Sequence, residues 1–496
     1  MLPISLRSAS RLLTPWLLVG FAIIEHRLRA ADPAEPPNVV LLLVDDLGYA
    51  DVGCFGGDAD LTPNLDRMAR EGRRFTDFVV SSPVCSASRA SLMTGCIHER
   101  IGIFGALGPQ SRTGIDDGET TMAEMLKGRG YKTACIGKWH LGHHPQFLPT
   151  RHGFDSYFGL PYSNDMWPFH PDLVNLPPDA PQRRNGFPPL PLFENETVVD
   201  ADVTAEDQAS LTEQYTRRAE AFLEASAGKG PFFLYVPYTM VHVPLFASKP
   251  FQGTSKRGIF GDVLREVDAS VGRILQKLKD LHVDDNTLVL FTSDNGPWLS
   301  YGLHAGSAGN LREGKGTCWE GGMRVPLIAR WPRHIPANTT CDRLTATIDL
   351  FPTIASLAGS NLPALPIDGK DIRPLLTGDA AVPSPHTSLP YYFLNNELQA
   401  VRTERWKLVL PHRYRSLQGR KGRDDGMPIP YVDMEAPLSL YDLDNDPSET
   451  TNRIAEYPEV AQILLDEASR WRDVLGDSLT KTTGRQRRPA GQVAKP

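Results

Sequence analysis

Asn38 opens a continuous apolar run that reaches Val44 and then breaks at Asp45-Asp46-Leu47-Gly48. A run with no polar face describes a strand buried on both sides, and sheets covered on both sides belong to α/β architecture. Tyr131–Gly137, Pro231–Pro237 and Asn286–Thr292 have the same texture. The segments before the last two, about Thr204–Ala227 and Gly258–Leu281, carry helical periodicity. Thr62-Pro63 opens a short helix with Leu65, Met68 and Ala69 on its apolar side. Thr121 and Glu124 make a capping box for another, which stops at Gly128-Arg129-Gly130. The predicted core is a large, mostly parallel or mixed sheet flanked by helices, an α/β fold.

Between Pro161 and Leu192 the chain carries nine prolines and little periodicity, which predicts a long loop of the kind that shapes pockets. From about Ser384 the texture changes to short alternating runs at Leu389–Leu394, Gln399–Arg402, Trp406–Leu410 and Ser439–Leu443, and Tyr457–Leu475 reads as a closing helix. A length of 496 residues exceeds one ordinary domain. The expected organisation is therefore a large domain over residues 32–383 and a smaller α+β subdomain over 384–476 with a short antiparallel sheet. Residues 477–496 hold five basic residues and no acid after Asp477, and are expected to be a disordered tail.

Arg7 and Arg11 precede an apolar run from Trp16 to Ile24, followed by small residues at Ala30 and Ala31, in the order of a signal peptide over residues 1–31. Export to a periplasmic, extracellular or lysosomal space, depending on the host, is the expectation, with no stable membrane span. Removing that segment takes away four arginines and one glutamate, and lowers the formal charge from -7 to -10. So acidic a chain offers no footprint for nucleic acid, and an anionic substrate must be gathered by local cations. Six cysteines are too few for a disulfide scaffold in a chain this long, and none shows zinc spacing.

Four stretches put unusual polar groups beside predicted strand ends: Asp45-Asp46, Cys85-Ser86-Ala87-Ser88-Arg89, Lys138-Trp139-His140 and Asp294-Asn295-Gly296. Ligands of open α/β sheets bind outside the carboxyl ends of the strands, so these stretches can converge. Three carboxylates and an amide at one sheet edge repel each other unless a hard divalent cation lies among them. All-oxygen ligation selects Ca²⁺, with Mg²⁺ as the alternative.

The run Cys85-Ser86-Ala87-Ser88-Arg89-Ala90-Ser91-Leu92-Met93-Thr94-Gly95 resembles the C-x-P-S-R-x-x-x-L-T-G signature of type I sulfatases, and Gly137-Lys138-Trp139-His140-Leu141-Gly142 resembles their second signature. The likeness continues through Leu160–Asp165, Ser293–Gly296, Gly314–Thr317 with Glu320-Gly321-Gly322, and Leu440–Leu443, and is greatest to arylsulfatase A-like members. It implies an alkaline-phosphatase-like fold and hydrolysis of aryl or carbohydrate sulfate monoesters. It also implies that a formylglycine-generating enzyme oxidises Cys85 to Cα-formylglycine during export, whose hydrated aldehyde supplies the nucleophile. Asp45, Asp46, Asp294 and Asn295, with the residue made from Cys85, are the implied cation ligands. Arg89 and Lys138 are the implied holders of the diol, and His140 the implied base for its collapse. His242 and Lys315, together with Lys138, are implied to bind the sulfate, and His242 and Lys315 to protonate the leaving oxygen.

Two positions depart from the family pattern: Ala87 stands where proline is usual, and Cys96 where a basic residue usually follows Thr-Gly. The alanine leaves the nucleophile position intact and bears on which converting enzyme reads it; Cys96 is either paired or a free thiol. The alternatives are a phosphonate monoester or phosphodiester hydrolase on the same fold, and a non-catalytic binder of sulfated glycans. The pairs His143-His144 and the lone His304 read as hydrogen-bonding or solvated groups, with His304 near enough to the Asp294-Asn295 turn to reach substrate.

Overall fold

In the computed structural model, residues 35–170, 186–378 and 382–494 are described. Ten strands form the main sheet: β1 (Asn38–Val44), β2 (Arg73–Phe75), β3 (Lys132–Ile136), β4 (Ser156–Gly159), β5 (Leu192–Glu194), β6 (Thr197–Asp200), β7 (Phe232–Pro237), β8 (Thr287–Ser293), β9 (Leu327–Arg330) and β10 (Thr339–Cys341). Their order is β10-β2-β9-β8-β1-β7-β3-β4-β5-β6. The five central strands β8-β1-β7-β3-β4 are parallel, whereas β9 and the β5–β6 hairpin run antiparallel to their neighbours. The sheet is mixed, as expected.

β1 shows why its sequence is apolar throughout. Val39, Leu41 and Leu43 enter one hydrophobic cluster, while Val40, Leu42 and Val44 enter another on the opposite side. Helices α1 (Pro63–Arg70), α4 (Ala205–Ser226) and α5 (Ile259–Asp280) supply the second cluster. Helices α2 (Cys85–Thr94) and α3 (Met122–Lys127) supply the first, and Thr121 and Glu124 close the expected capping box on α3.

The C-terminal runs form a four-stranded antiparallel sheet, Leu389–Phe393, Glu397–Arg402, Trp406–Val409 and Ser439–Asp442, followed by helix α6 (Pro458–Leu475). The described residues from 36 onward make one compact unit. Leu398, Leu408, Leu440 and Trp471 share a hydrophobic cluster with Val39 and Phe75, so the boundary expected at 384 is a change of sheet and not a break in the core.

The tail departs from its expected disorder. Gly476–Asp477 pairs with Thr482–Thr483, and Gly491–Gln492 pairs with Thr113–Gly114. One of its basic residues has a distant acidic partner: Arg488 grips both oxygens of Glu119 at 2.5 and 2.8 Å. Composition within the tail cannot reveal partners that lie hundreds of residues upstream. Arg488 also brings Nη2 to 3.2 Å from the sulfur of Cys96, placing a guanidinium beside the position where a basic residue was expected. All six cysteines are free thiols. The expected signal peptide and residues 171–185 of the proline-rich loop lie outside the described residues. No helix among the described residues is long and apolar enough to cross a membrane.

Candidate active site

The parallel strands deliver their carboxyl ends to one edge. Val44 of β1 is in register with Ser293 of β8, so Asp45-Asp46 and Asp294-Asn295 leave neighbouring strands at one level. Asp46 turns into the left-handed region at φ 58°, where a side chain is costly without local support. Its backbone N–H donates to Asp294 Oδ1 at 3.2 Å, and the next, that of Leu47, donates to the Ser293 hydroxyl at 3.0 Å. After β3, Gly137 runs at φ 139° with its α-carbon against β7; a Cβ there would lie 1.9 Å from the Pro237 carbonyl oxygen. That close approach turns Lys138 inward, where Nζ meets Asp45 Oδ2 at 2.5 Å and Ser163 Oγ at 3.0 Å. His140, also left-handed at φ 64°, is fully buried, and neither ring nitrogen has a hydrogen-bond partner.

Cys85 is the first residue of α2, and Arg89 lies one turn on, so both side chains share a helix face. Arg89 donates through Nε to Asp294 Oδ2 at 2.8 Å and through Nη1 to the Lys138 carbonyl at 2.7 Å. After β7 the backbone stays laddered to β1, with Val241 N–H donating to the Asp45 carbonyl at 3.1 Å, which carries His242 into the site. His242 Nε2 lies 3.5 Å from Asp46 Oδ2. Lys315 Nζ donates to both Asp46 oxygens at 2.6 and 2.8 Å and sits 4.7 Å from the centre of the Trp298 ring. All ten predicted site residues therefore meet at one buried edge of the sheet.

Burial sets the electrostatics, and neighbours decide its outcome. It would raise the Asp45 carboxyl, but Lys138, then His242 and Arg89, hold that group well below the usual carboxylate range. Burial and then the Asp45 charge push Asp294 up to about 7 against Arg89. The Cys85 thiol is pushed up to about 12 by burial, despite Lys138 and Lys315. An unmodified thiol here is protonated at neutral pH and is a poor nucleophile. Burial, with Lys138 and Arg89, holds His140 well below the ordinary imidazole range, so its ring is neutral, with one nitrogen lone pair unengaged.

Does the donor set fit a cation? Asp45 Oδ1 and Asn295 Oδ1 are buried acceptors with no donor, a costly state in a water-poor interior. Ligand atoms of Asp45, Asp46, Cys85 and His242 all lie within 4.8 Å of one another. Spare carboxylate and amide oxygens around one point fit a hard divalent ion. The tight group differs from the predicted set in two ways. It includes His242, and Asp294 stands outside it, its oxygens accepting from Arg89 and the Asp46 amide.

Sequence reasoning assigned no role to Ser163, Ser293 or Trp298. Ser163 lay inside a matched stretch, but its value as a partner of Lys138 depends on β4 lying beside β3. Trp298 packs edge-on against His242 with ring centres 5.6 Å apart, and nothing in its local sequence signals that. His304 turns to the loop at 424–426, where a Cβ on Gly426 would lie 3.1 Å from its Nδ1.

Comparison with known proteins gives the family. The family model "Sulfatase" matches residues 37–360, and that for "N-sulphoglucosamine sulphohydrolase, C-terminal" matches 314–419. Arylsulfatase A of Bos taurus is 40% identical over 443 residues, covering 87% of this chain and 86% of that protein. N-acetylgalactosamine-6-sulfatase of Homo sapiens is 42% identical over 373 residues, covering 73% and 70%. The crystal structure of the PsFucS1 sulfatase from Pseudoalteromonas sp. superposes with a TM-score of 0.78 at 26% identity, covering 92% of each chain. The chain belongs to the sulfatase family and is a sulfuric ester hydrolase.

Proposed function

We propose that this protein is an exported sulfatase that hydrolyses aryl or carbohydrate sulfate monoesters with a formylglycine made from Cys85 and a divalent cation, Ca²⁺ before Mg²⁺. The observation that carries this reading is the convergence of Asp45, Asp46, Cys85 and His242 within 4.8 Å, beside two acceptors without donors. Asp45, Asp46, Asp294 and Asn295, with residue 85, would hold the cation, which when bound polarises a sulfate oxygen. The hydrated aldehyde at residue 85 would supply a hydroxyl nucleophile where the thiol cannot.

The rest is work for the chain's own side chains. Lys138 and Arg89 flank residue 85 with fixed positive charge, which favours an oxyanion there. His140, neutral and without a partner, accepts the proton released at residue 85. Lys315 and His242, on the Trp298 side, bind the sulfate, and His242 Nε2 gives its proton to the leaving oxygen. Arylsulfatase A and N-acetylgalactosamine-6-sulfatase among the relatives support sulfate as the group removed.

Peptide mass spectrometry of natively produced protein tests the reading. The peptide spanning Cys85 is expected to be lighter by about 18 Da than its thiol form. An intact thiol in active material would overturn the mechanism.

A further inference from the structure

The antiparallel hairpin His412–Ser416 and Val432–Ala436 brings a loop of the C-terminal half to the active site. Arg415 Nη2 donates to the Lys315 carbonyl at 2.7 Å, and the Ser416 hydroxyl donates to Glu313 Oε1 at 2.5 Å. The loop that follows is pressed onto residues 299–303. Leu303 N–H donates to the Arg423 carbonyl at 2.9 Å, and a Cβ on Gly302 would lie 2.2 Å from that same oxygen. Between them lies a cavity of about 690 Å³, in the size range of small-molecule sites.

Its position is set by two short connections. Leu299 on its wall directly follows Trp298, the ring that packs against His242 and Lys315. Glu313, on the same wall, precedes Lys315 by two residues, a reach of at most about 7 Å. Lys315 N–H donates to the Pro297 carbonyl at 2.9 Å, so the two segments run side by side with the Asp46 cluster at one end and this cavity at the other.

The lining combines an apolar floor with a charged rim. Leu299, Leu303 and Leu417 provide the floor, and Arg420, Lys421 and Arg423 line the cavity with the acids Glu313 and Asp424. Arg423 is paired with Asp425, and Glu313 is engaged by Ser416. Arg420 donates only to the carbonyls of Leu417 and Pro430, and among the described residues neither Arg420 nor Lys421 has an ion-pair partner.

We propose that this cavity receives the alcohol part of the substrate and that Arg420 and Lys421 recognise a second anionic group on it. The preferred substrate is then a sulfated oligosaccharide carrying a further sulfate or a uronate. The inference rests on the sulfatase reading and deepens it: the ester is broken at His242 and Lys315, and the sugar beyond it extends past Trp298. Sugar faces lie on aliphatic side chains, and rim charges add selectivity that weakens with salt.

The test compares wild type with the Arg420→Ala/Lys421→Ala variant, whose changes lie on an exposed loop. Substrates are 4-nitrophenyl sulfate and the disulfated disaccharides of chondroitin and of heparin. At least one disaccharide is expected to be cleaved, with its KM raised about tenfold in the variant, while kcat/KM for 4-nitrophenyl sulfate stays within about twofold. Equal losses on both kinds of substrate, or no loss on either disaccharide, would overturn the proposal. If wild type cleaves no sulfate ester, the functional reading fails, and calorimetry with the same disaccharides still decides the cavity. Binding weakened in the variant keeps the subsite; binding unchanged, or absent in wild type, removes it.

Discussion

Two buried ionic clusters in this molecule resemble each other in charge and differ in how fully they are satisfied. At the sheet edge, Asp45, Asp46 and Asp294 face Arg89, Lys138 and Lys315. Under the C-terminal sheet, Asp77, Glu320 and Glu449 face Arg324, Arg402 and Lys407. In the second cluster every carboxylate oxygen of Glu320 and Glu449 lies within 3.2 Å of a cationic nitrogen or of the Glu320 amide, and only Glu449 Oε1, 2.6 Å from Lys407 Nζ, and Arg402 Nε lack a well-directed hydrogen bond. In the first, Asp45 Oδ1, Asn295 Oδ1 and both nitrogens of His140 have none. A low-dielectric interior tolerates charges that are fully paired, and spare acceptors there mark a place where something else binds. The closely paired cluster joins the small sheet to the large one; the one with spare acceptors is the reactive centre we propose.

Removing one acid from each cluster should have opposite signatures. Asp46→Ala is expected to lower kcat/KM for 4-nitrophenyl sulfate by about 10³-fold or more with its far-UV circular dichroism unchanged. EDTA should inactivate wild type, and added Ca²⁺ or Mg²⁺ should restore it. Activity that survives exhaustive chelation would remove the cation from the site.

Glu320→Ala leaves Arg402 and Lys407 buried with one carboxylate fewer, a loss of about 3–5 kcal/mol by urea unfolding. Its activity per folded molecule should stay within a few-fold of wild type. A loss below about 1 kcal/mol would mean that this cluster does not tie the two sheets together.

A smaller effect comes from a buried group that avoids charge altogether. His152, stacked on Trp139, is held at about 4 by burial, below its ordinary 6.5. The unfolded chain therefore binds more protons between those values, so stability is full above pH 6.5 and falls as pH drops toward 4. Replacing it with phenylalanine should remove about 1–2 kcal/mol of the stability difference between pH 7 and pH 5. Parallel pH profiles for variant and wild type would show that His152 takes up its proton in the fold as readily as in the unfolded chain.

Much of the architecture was legible because its signals are local. The apolar runs placed β1, β3, β7 and β8, and the cap at Thr121 and Glu124 placed α3, each to within a residue or two. The Asp45-Asp46 pair after β1 was conspicuous because an apolar run seldom ends in two acids, and Asp294-Asn295 follows β8 in the same way. Their convergence follows from parallel neighbours with a common carboxyl edge, which an α/β pattern already implies. The family likeness at Cys85–Gly95 and Gly137–Gly142 then named the chemistry.

Order in the tail, the shared core of the two sheets and the placement of Ser163, Trp298 and the 417–424 loop came only from the tertiary structure. These depend on pairings across long separations: Arg488 with Glu119, Arg402 with Asp77, Arg415 with the Lys315 carbonyl. The sequence by itself determined the elements and the kind of chemistry, since periodicity, caps and motifs act over a few residues. Only the folded chain decided which distant charges meet, which acceptors are left without donors, and where a substrate's far end can rest. Those outcomes follow from the packing of the whole chain, and no local stretch encodes them.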